Sequence, residues 1–547
     1  MKKYASLLFF SLFFIYLLSA QRTIGLFQND LESFDGYTLF AANGYTSTYL
    51  IDNCGRLINE WPGNYRPGSV NYLLEDGHLY RAVRNPGGPF FGGGIGGEIE
   101  KLDWEGNIVW SYNYGTNDYH QHHDIEVLPN GNVLILAWEL KTNEEAINAG
   151  RDPDQLEGDL WPEHIVEVEP VGINGGNIVW EWHLWDHLVQ ELDSQQDNYG
   201  EVEMHPELLD INFKGFSSSF VQADWIHANA IDYNPQRDEI VLSSRHLSEF
   251  WVIDHSTTAE EAASHSGGNA GKGGDFLYRW GNAISYKRAS AGDKKLFGQH
   301  DVHWIPEGLP DAGKIMVFNN GLNRPMGNTA SVDVIQPPLD ANGNYILVNE
   351  EPYGPEDLYW TYYPGSTDFY SSTVSGAQRM PNGNTLICEG NKGHFFEIMS
   401  DGTKVWKYIN PVGSGGPAPQ ETDPSSNGVF RAYRYAADFP AFFGKDLTPG
   451  KVIELNPLPT VCDTITATND INEVEWSFFP NPVDEVLHIR TTQNEIGRLK
   501  LVDVLGRVMW QQEITESLYN VPTINLQEGV YFLVSPKNET RKVICKH

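Results

Sequence analysis

Three features of this sequence predict an all-β chain: a six-bladed β-propeller followed by a small β-sandwich C-terminal domain. Glycine (53), proline (31) and aromatic residues (12%) are plentiful, and turn signals recur at short intervals, which favours many short strands. A four-strand unit repeats along most of the chain in diverged form. Past the first twenty residues, no apolar run approaches the length needed to span a bilayer.

The chain opens MKKYASLLFFSLFFIYLLSA. Lys2 and Lys3 precede an apolar run from Ala5 to Leu18, and Ser19 and Ala20 supply small residues at a cleavage point. That pattern predicts a secretory signal peptide over 1–20 and a mature start at Gln21.

The repeating unit is an alternating strand, a tight turn, a β-rich strand, a third strand and a fourth of "IVW" type. Its second half reads EIEKLDWEGNIVWSY at Glu98–Tyr112, IVEVEPVGINGGNIVWEW at Ile165–Trp182 and FFEIMSDGTKVWKY at Phe395–Tyr408. The preceding hairpins include HHDIEVLPNGNVLILAWE from His122 and AQRMPNGNTLICEG from Ala377. Their Asn130-Gly131 and Asn382-Gly383 pairs suit two-residue turns that need positive φ. Hairpins fall near 70–83, 122–138, 226–246, 300–319, 375–389 and 428–436. A leftover strand pair at 36–61 completes the last sheet, so the propeller occupies 21–456. Insertions at 140–163, 186–224 and 255–275 are expected as loops over one mouth of the channel, the second with a partly helical pattern.

Blades around an axis bring equivalent positions of different repeats together. Three inner strands begin with histidine: Gln121-His122-His123-Asp124, Trp225-Ile226-His227 and Gln299-His300-Asp301. In 224–246 two strand-like stretches flank a turn at Asn234–Asp238. If Tyr233 pairs with Glu239, His227 lies opposite Arg245 on one face, with Asn229 and Ser243 two residues along. His, Arg, Asn and Ser make a poor core and a good seat for an anion. The net charge of −36 excludes nucleic-acid binding, which needs a basic face. It also requires that an anionic substrate find a locally positive pocket. Three converging histidines would suit zinc or copper, but Arg245 beside His227 repels a cation, so no metal is expected there. Cys54, Cys388, Cys462 and Cys545 show no metal-ligand spacing.

After Pro457 the pattern changes. Residues 457–473 read as a Thr/Asn/Asp-rich linker, and a compact β domain occupies 474–547. With Pro480-Asn481-Pro482, Leu505-Gly506-Arg507, Gly529-Val530-Tyr531 and the basic Arg541-Lys542, this domain resembles the C-terminal sorting domain of the type IX secretion system. That resemblance implies export through the periplasm to the outside or the cell surface, with the type IX machinery as partner; the lack of a later apolar run predicts no stable membrane span.

The segments HHDIEVLPNGN (122–132), DWIHANAIDY (224–233) with SSRH (243–246), and FGQHDVHW (297–304) resemble the bacterial arylsulfate sulfotransferase family over roughly 35–456. The resemblance implies a six-bladed propeller that moves a sulfuryl group from an aryl sulfate donor to a phenol acceptor, with no nucleotide or other cofactor. It implies that His300 is the nucleophile that becomes sulfated. His227, Arg245 and His123 would hold the sulfate oxygens, with Asn229 nearby and His122 the less favoured neighbour of His123. Arg431 and Tyr433 in the final blade receive no role. The residue types suit that chemistry independently. Arg supplies a fixed cationic fork, imidazole is a competent group-transfer nucleophile, and a second His serves as proton donor and acceptor. Trp225, Trp304 and Tyr433 are candidates to stack an aromatic ring. A non-catalytic propeller that binds aromatic or sulfated ligands would use the same residues.

Overall fold

The computed structural model describes residues 21–215, 223–365, 368–423, 426–464, 476–479, 483–491, 497–504, 506–514, 518–535 and 540–546. The expected signal peptide, residues 465–473 of the expected linker, Pro480-Asn481-Pro482 and Leu505 lie outside them. The chain divides into two compact units, Met1–Thr460 and Val461–His547. Among the described residues, no helix is long and apolar enough to cross a membrane.

The first unit is built mainly of antiparallel sheets, six of which start from an inner strand. We number those inner strands β1 (Pro67–Leu73), β2 (Tyr119–Val127), β3 (Ala228–Asn234), β4 (His300–Trp304), β5 (Gly376–Arg379) and β6 (Val429–Ala436). Each of β1 to β5 continues outward through three further strands in chain order. β6 is continued instead by the N-terminal strands Gly36–Ala42, Thr48–Asp52 and Leu57–Trp61. A strand the sequence reading did not place, Gly25–Asn29, pairs with Lys404–Ile409 at the outer edge of the β5 sheet. Each inner strand packs on the next, and β6 packs on β1, so the six form a closed ring and the arrangement is propeller-like.

The "IVW" tryptophans explain why the repeat is visible at all. An indole N–H is a donor with no acceptor capacity and must find an oxygen when buried. Trp61 donates to the carbonyl of Asp103, Trp110 to Gly175, Trp182 to Gly274, Trp280 to Pro355 and Trp406 to Asn53, all at 2.8–2.9 Å. Each tryptophan ends or lies within the fourth strand of one sheet. Each carbonyl leads into the fourth strand of the next. Between the β4 and β5 sheets the place is taken by Trp360, with the Arg379 guanidinium 4.8 Å from its ring.

The ring centre is ionic. Arg431 on β6 pairs with Asp124 of β2 at 2.7 Å and Asp301 of β4 at 2.9 Å. It also donates to the Tyr72 hydroxyl of β1 and the Asn229 carbonyl of β3, while the Ala377 N–H of β5 donates to Asp301. One buried guanidinium thus links all six inner strands, directly or through its carboxylates.

Two expectations need correction. The β3 hairpin pairs Tyr233 with Ile240 and Asn234 with Glu239, one residue off the expected register. A bulge between Ala228 and Ala230 shifts the ladder back, and the Arg245 N–H donates to the His227 carbonyl at 3.2 Å. His227 therefore meets Arg245 after all, but Asn229 sits in the bulge and leaves that face. Among its described residues the 186–224 insertion is not helical beyond single 3-10 turns at Leu184–Asp186 and Val202–Met204, with two-residue strands at Leu188–Val189 and Leu209–Asp210. Its polar run over 193–200 has no apolar stripe with which a longer helix could pack.

The second unit has two sheets, one of Trp476–Phe479, Val486–Thr491 and Leu518–Pro522, the other of Val508–Ile514, Gly497–Asp503, Gly529–Val534 and Thr540–Cys545. Leu487, Ile489 and Val521 of the first share an apolar cluster with Leu499, Leu501, Leu533 and Val543 of the second.

Candidate active site

Irregular backbone, not regular strand, aims the histidines. On a flat strand His122, His123 and Asp124 would alternate between two faces. The ladder between β2 and Val133–Glu139 breaks there instead, and His123 adopts φ +50°. Three consecutive side chains then take three roles. Asp124 turns to Arg431. His122 stacks on Trp138 at 4.1 Å and bonds Glu163 Oε2 through Nε2 at 2.7 Å. His123 enters the space near His227, with ring centroids 4.6 Å apart. His227 (φ +52°) and Asp301 (φ +56°) repeat the device at the heads of β3 and β4. Left-handed conformations at non-glycine residues are costly and mark bulges that redirect side chains.

His300, the first residue of β4, is 2% exposed. Its Nδ1 lies 2.8 Å from Asn320 Oδ1, and its Nε2 accepts from the Val374 N–H at 3.1 Å. Asn320 uses its amide nitrogen on the carbonyls of Ser371 and Val374, so its oxygen must face the imidazole. That fixes the tautomer: the proton sits on Nδ1 and the lone pair on Nε2. Arg245 donates to the Ser372 carbonyl at 3.3 Å. Phe430 lies between His123 and His300, 6.0 and 6.4 Å from their centroids.

Two segments roof the site. Residues 371–375 cross over His300 and Arg245, with Val374 at φ +52° and Ser375 at φ +91°, a strained setting for a β-branched residue. On the other side, the glycine-rich loop 92–97 runs against the imidazoles. A Cβ at Gly94 would fall 2.2 Å from the His123 ring, and one at Gly93 would touch His227 at 3.5 Å.

Charge is distributed unevenly. Burial, then the charge of Arg245, holds His300 well below the ordinary histidine value. Burial, then His227, His122, His300 and Arg245, does the same for His123. His122 is pushed down to about 3, chiefly by burial. These rings are neutral bases. Burial lowers Arg245 to about 10, which leaves it cationic at neutral pH. Asp224 Oδ2 lies 2.5 Å from His227 Nδ1. Burial opposes ionisation of Asp224, but the charge of His227 and its hydrogen bond outweigh that and hold the carboxyl low. The carboxylate orients His227 with Nδ1–H toward it, leaving Nε2 for other partners.

His300, His227, Arg245 and His123 are thus brought together. His122 stands behind His123, with their Nδ1 atoms 2.8 Å apart. Asn229 is turned away and donates to the Gln299 carbonyl at 2.8 Å. The three aromatic candidates lie elsewhere. Trp225 faces Arg151, Trp304 packs with Val302 and Ile315, and Tyr433 pairs with Tyr72, while Phe430 packs beside His123 and His300. Sequence reasoning missed Asn320, Glu163, Phe430 and the roof. Asp224 alone carried a local signal, a carboxylate three residues before a histidine.

The family described as Arylsulfotransferase (ASST) matches residues 36–414, more than half of the chain. The chain belongs to the arylsulfotransferase family. It is an aryl sulfotransferase, and residues 477–546 match the Secretion system C-terminal sorting domain, which directs it to the cell surface or the extracellular space. No curated protein matches this arylsulfotransferase. Solved structures similar to it include a protein of unknown function from Bacteroides caccae (11% identity, 74% of this chain and 99% of that one, TM-score 0.39). Others are the Myceliophteria thermophila Cps50 (Swd1) β-propeller domain (11%, 72% and 88%, 0.34) and virginiamycin B lyase from Staphylococcus aureus (8%, 72% and 90%, 0.32). Likeness at that level says nothing about activity.

Proposed function

We propose that this arylsulfotransferase is a six-bladed propeller over 21–456, preceded by a signal peptide at 1–20. A linker at 457–473 joins it to a β-sandwich sorting domain at 474–547, which the type IX machinery reads. The enzyme moves a sulfuryl group from an aryl sulfate ester to a phenol through a sulfohistidine, with no nucleotide donor or other cofactor.

The observation that carries this reading is the tautomer of His300, whose Nε2 lone pair is buried close to the charge of Arg245. Nε2 attacks sulfur, an N–S bond forms, and the S–O bond to the aryl group breaks with its electron pair leaving on the phenolate oxygen. Arg245, His227 and His123 hold the sulfuryl oxygens and offset their charge, worth more in a water-poor pocket than in solvent. His122 supports His123 from behind, and Asn229 acts at one remove through the ring centre. His227, oriented by Asp224, protonates the departing phenolate and in the second half-reaction takes the proton of the acceptor phenol. The acceptor oxygen then displaces Nε2 from sulfur, and His300 is regenerated. The Val374 N–H occupies that lone pair at 3.1 Å, so donor entry displaces the 371–375 strap, and the strain at Val374 favours that release.

The test is single-turnover reaction with a chromogenic aryl sulfate. Wild type should release one equivalent of phenol in a burst and carry an acid-labile sulfuryl group on His300. His300→Ala should lose burst and adduct while keeping a cooperative melt. A full burst from that variant ends the proposal.

A further inference from the structure

Away from the ring centre, two of the insertions meet at His187, Asp275 and His265. His187 is fully buried, and its ring lies parallel to Trp182 at 5.6 Å. Its Nε2 is 2.8 Å from the carbonyl oxygen of Ala262. A carbonyl only accepts, so Nε2 carries the ring proton and a neutral imidazole presents a lone pair at Nδ1. That Nδ1 lies 2.8 Å from Asp275 Oδ1, and His265 Nδ1 lies 2.8 Å from the same oxygen. One donor atom from each residue falls within 4.8 Å of the other two. A lone pair facing a carboxylate oxygen at that range is repulsive, so positive charge belongs between them. A proton on His187 can fill that gap while His265 donates from its own Nδ1–H; a cation instead takes the lone pairs of both rings and the carboxylate together.

We propose that His187, His265 and Asp275 bind a divalent transition metal of the zinc type, which staples the 186–224 insertion to the 255–275 insertion. Two imidazoles and one carboxylate are donors that such ions favour, whereas calcium and magnesium ask for more oxygens. The surroundings are those of a metal-bound imidazole, since the nitrogen of His187 that would not ligate donates to a backbone carbonyl. The backbone that delivers Asp275 comes close: a Cβ on Gly274 would fall 2.5 Å from His187 Nε2. His265, with its side chain 61% exposed, leaves one side open for water as fourth ligand and free to relax outward to metal-ligand spacing. The site serves the scaffold and takes no part in sulfuryl transfer.

The experiment uses the full chain, stripped with chelator, then given zinc and dialysed. Wild type should retain one equivalent of zinc, and zinc in excess should raise its Tm by about 2 °C or more over the stripped protein. His265→Ala, a change at an exposed side chain, should melt like stripped wild type, retain less than a tenth of an equivalent and show no shift. No stoichiometric zinc on wild type overturns the proposal. So does zinc that stays on His265→Ala and leaves with His227→Ala, which would place the metal in the central ring.

Discussion

At the scale of single residues, the site depends on keeping the His300 imidazole neutral beside a cation. Burial and Arg245 disfavour the protonated form of His300, so its folded pKa lies well below 6.5. The free base therefore persists as pH falls through 6.5 and disappears only lower. The phenol burst should keep more than half of its pH 7.5 rate at pH 6, and in Arg245→Gln the acid limb should move up. A wild-type limb centred at or above 6.5 contradicts this. Asn320 is a positioning residue. Asn320→Ala removes the acceptor of His300 Nδ1–H, and losing a buried partner costs about 1–3 kcal/mol. Burst rates should fall roughly 10- to 100-fold, with donor affinity from equilibrium binding little changed.

At the scale of elements, bulges and glycines do what regular strands cannot. β2 carries three polar side chains in a row to three different partners because its ladder breaks at His122–Asp124. The 92–97 loop approaches His123 because Gly94 has no Cβ and sits at φ +74°. Gly94→Ala should displace loop or imidazole and lower the burst rate on the order of 10²-fold, as expected for a misplacement near 1 Å. Gly131→Ala is the control: φ is +87°, but a Cβ there meets nothing within 4 Å. It carries the backbone cost without the clash, and its burst rate should match wild type.

At the scale of the whole molecule, the ring is held at its rim by tryptophan latches and at its centre by one guanidinium. Arg431→Met leaves Asp124 and Asp301 buried without their common partner, which should destabilise the first unit by about 3–5 kcal/mol in urea titration. Arg431 is also the residue to which sequence reasoning gave no role. Its function exists only where six strands distant along the chain meet, so no local pattern could report it.

What the sequence determined by itself was the strand repeat and the short ordered motifs. Four-strand units, Asn-Gly turns and "IVW" endings are local signals, because strand alternation and turn dihedrals are set within a few residues. The export domain was legible for the same reason, its motifs being short and ordered. The histidines and Arg245 could be picked out as residue types at strand heads. The tertiary structure alone decided where those side chains point. The β3 register slips by one and a bulge restores it, sending Asn229 away from the site; His122 and His123 part company across a broken ladder. Asn320 and the Val374 N–H, which impose the tautomer on His300, and Asp224, which orients His227, come from segments separated by up to 150 residues. Hydrogen bonds between such loops follow from packing of the whole ring, which no window of sequence contains.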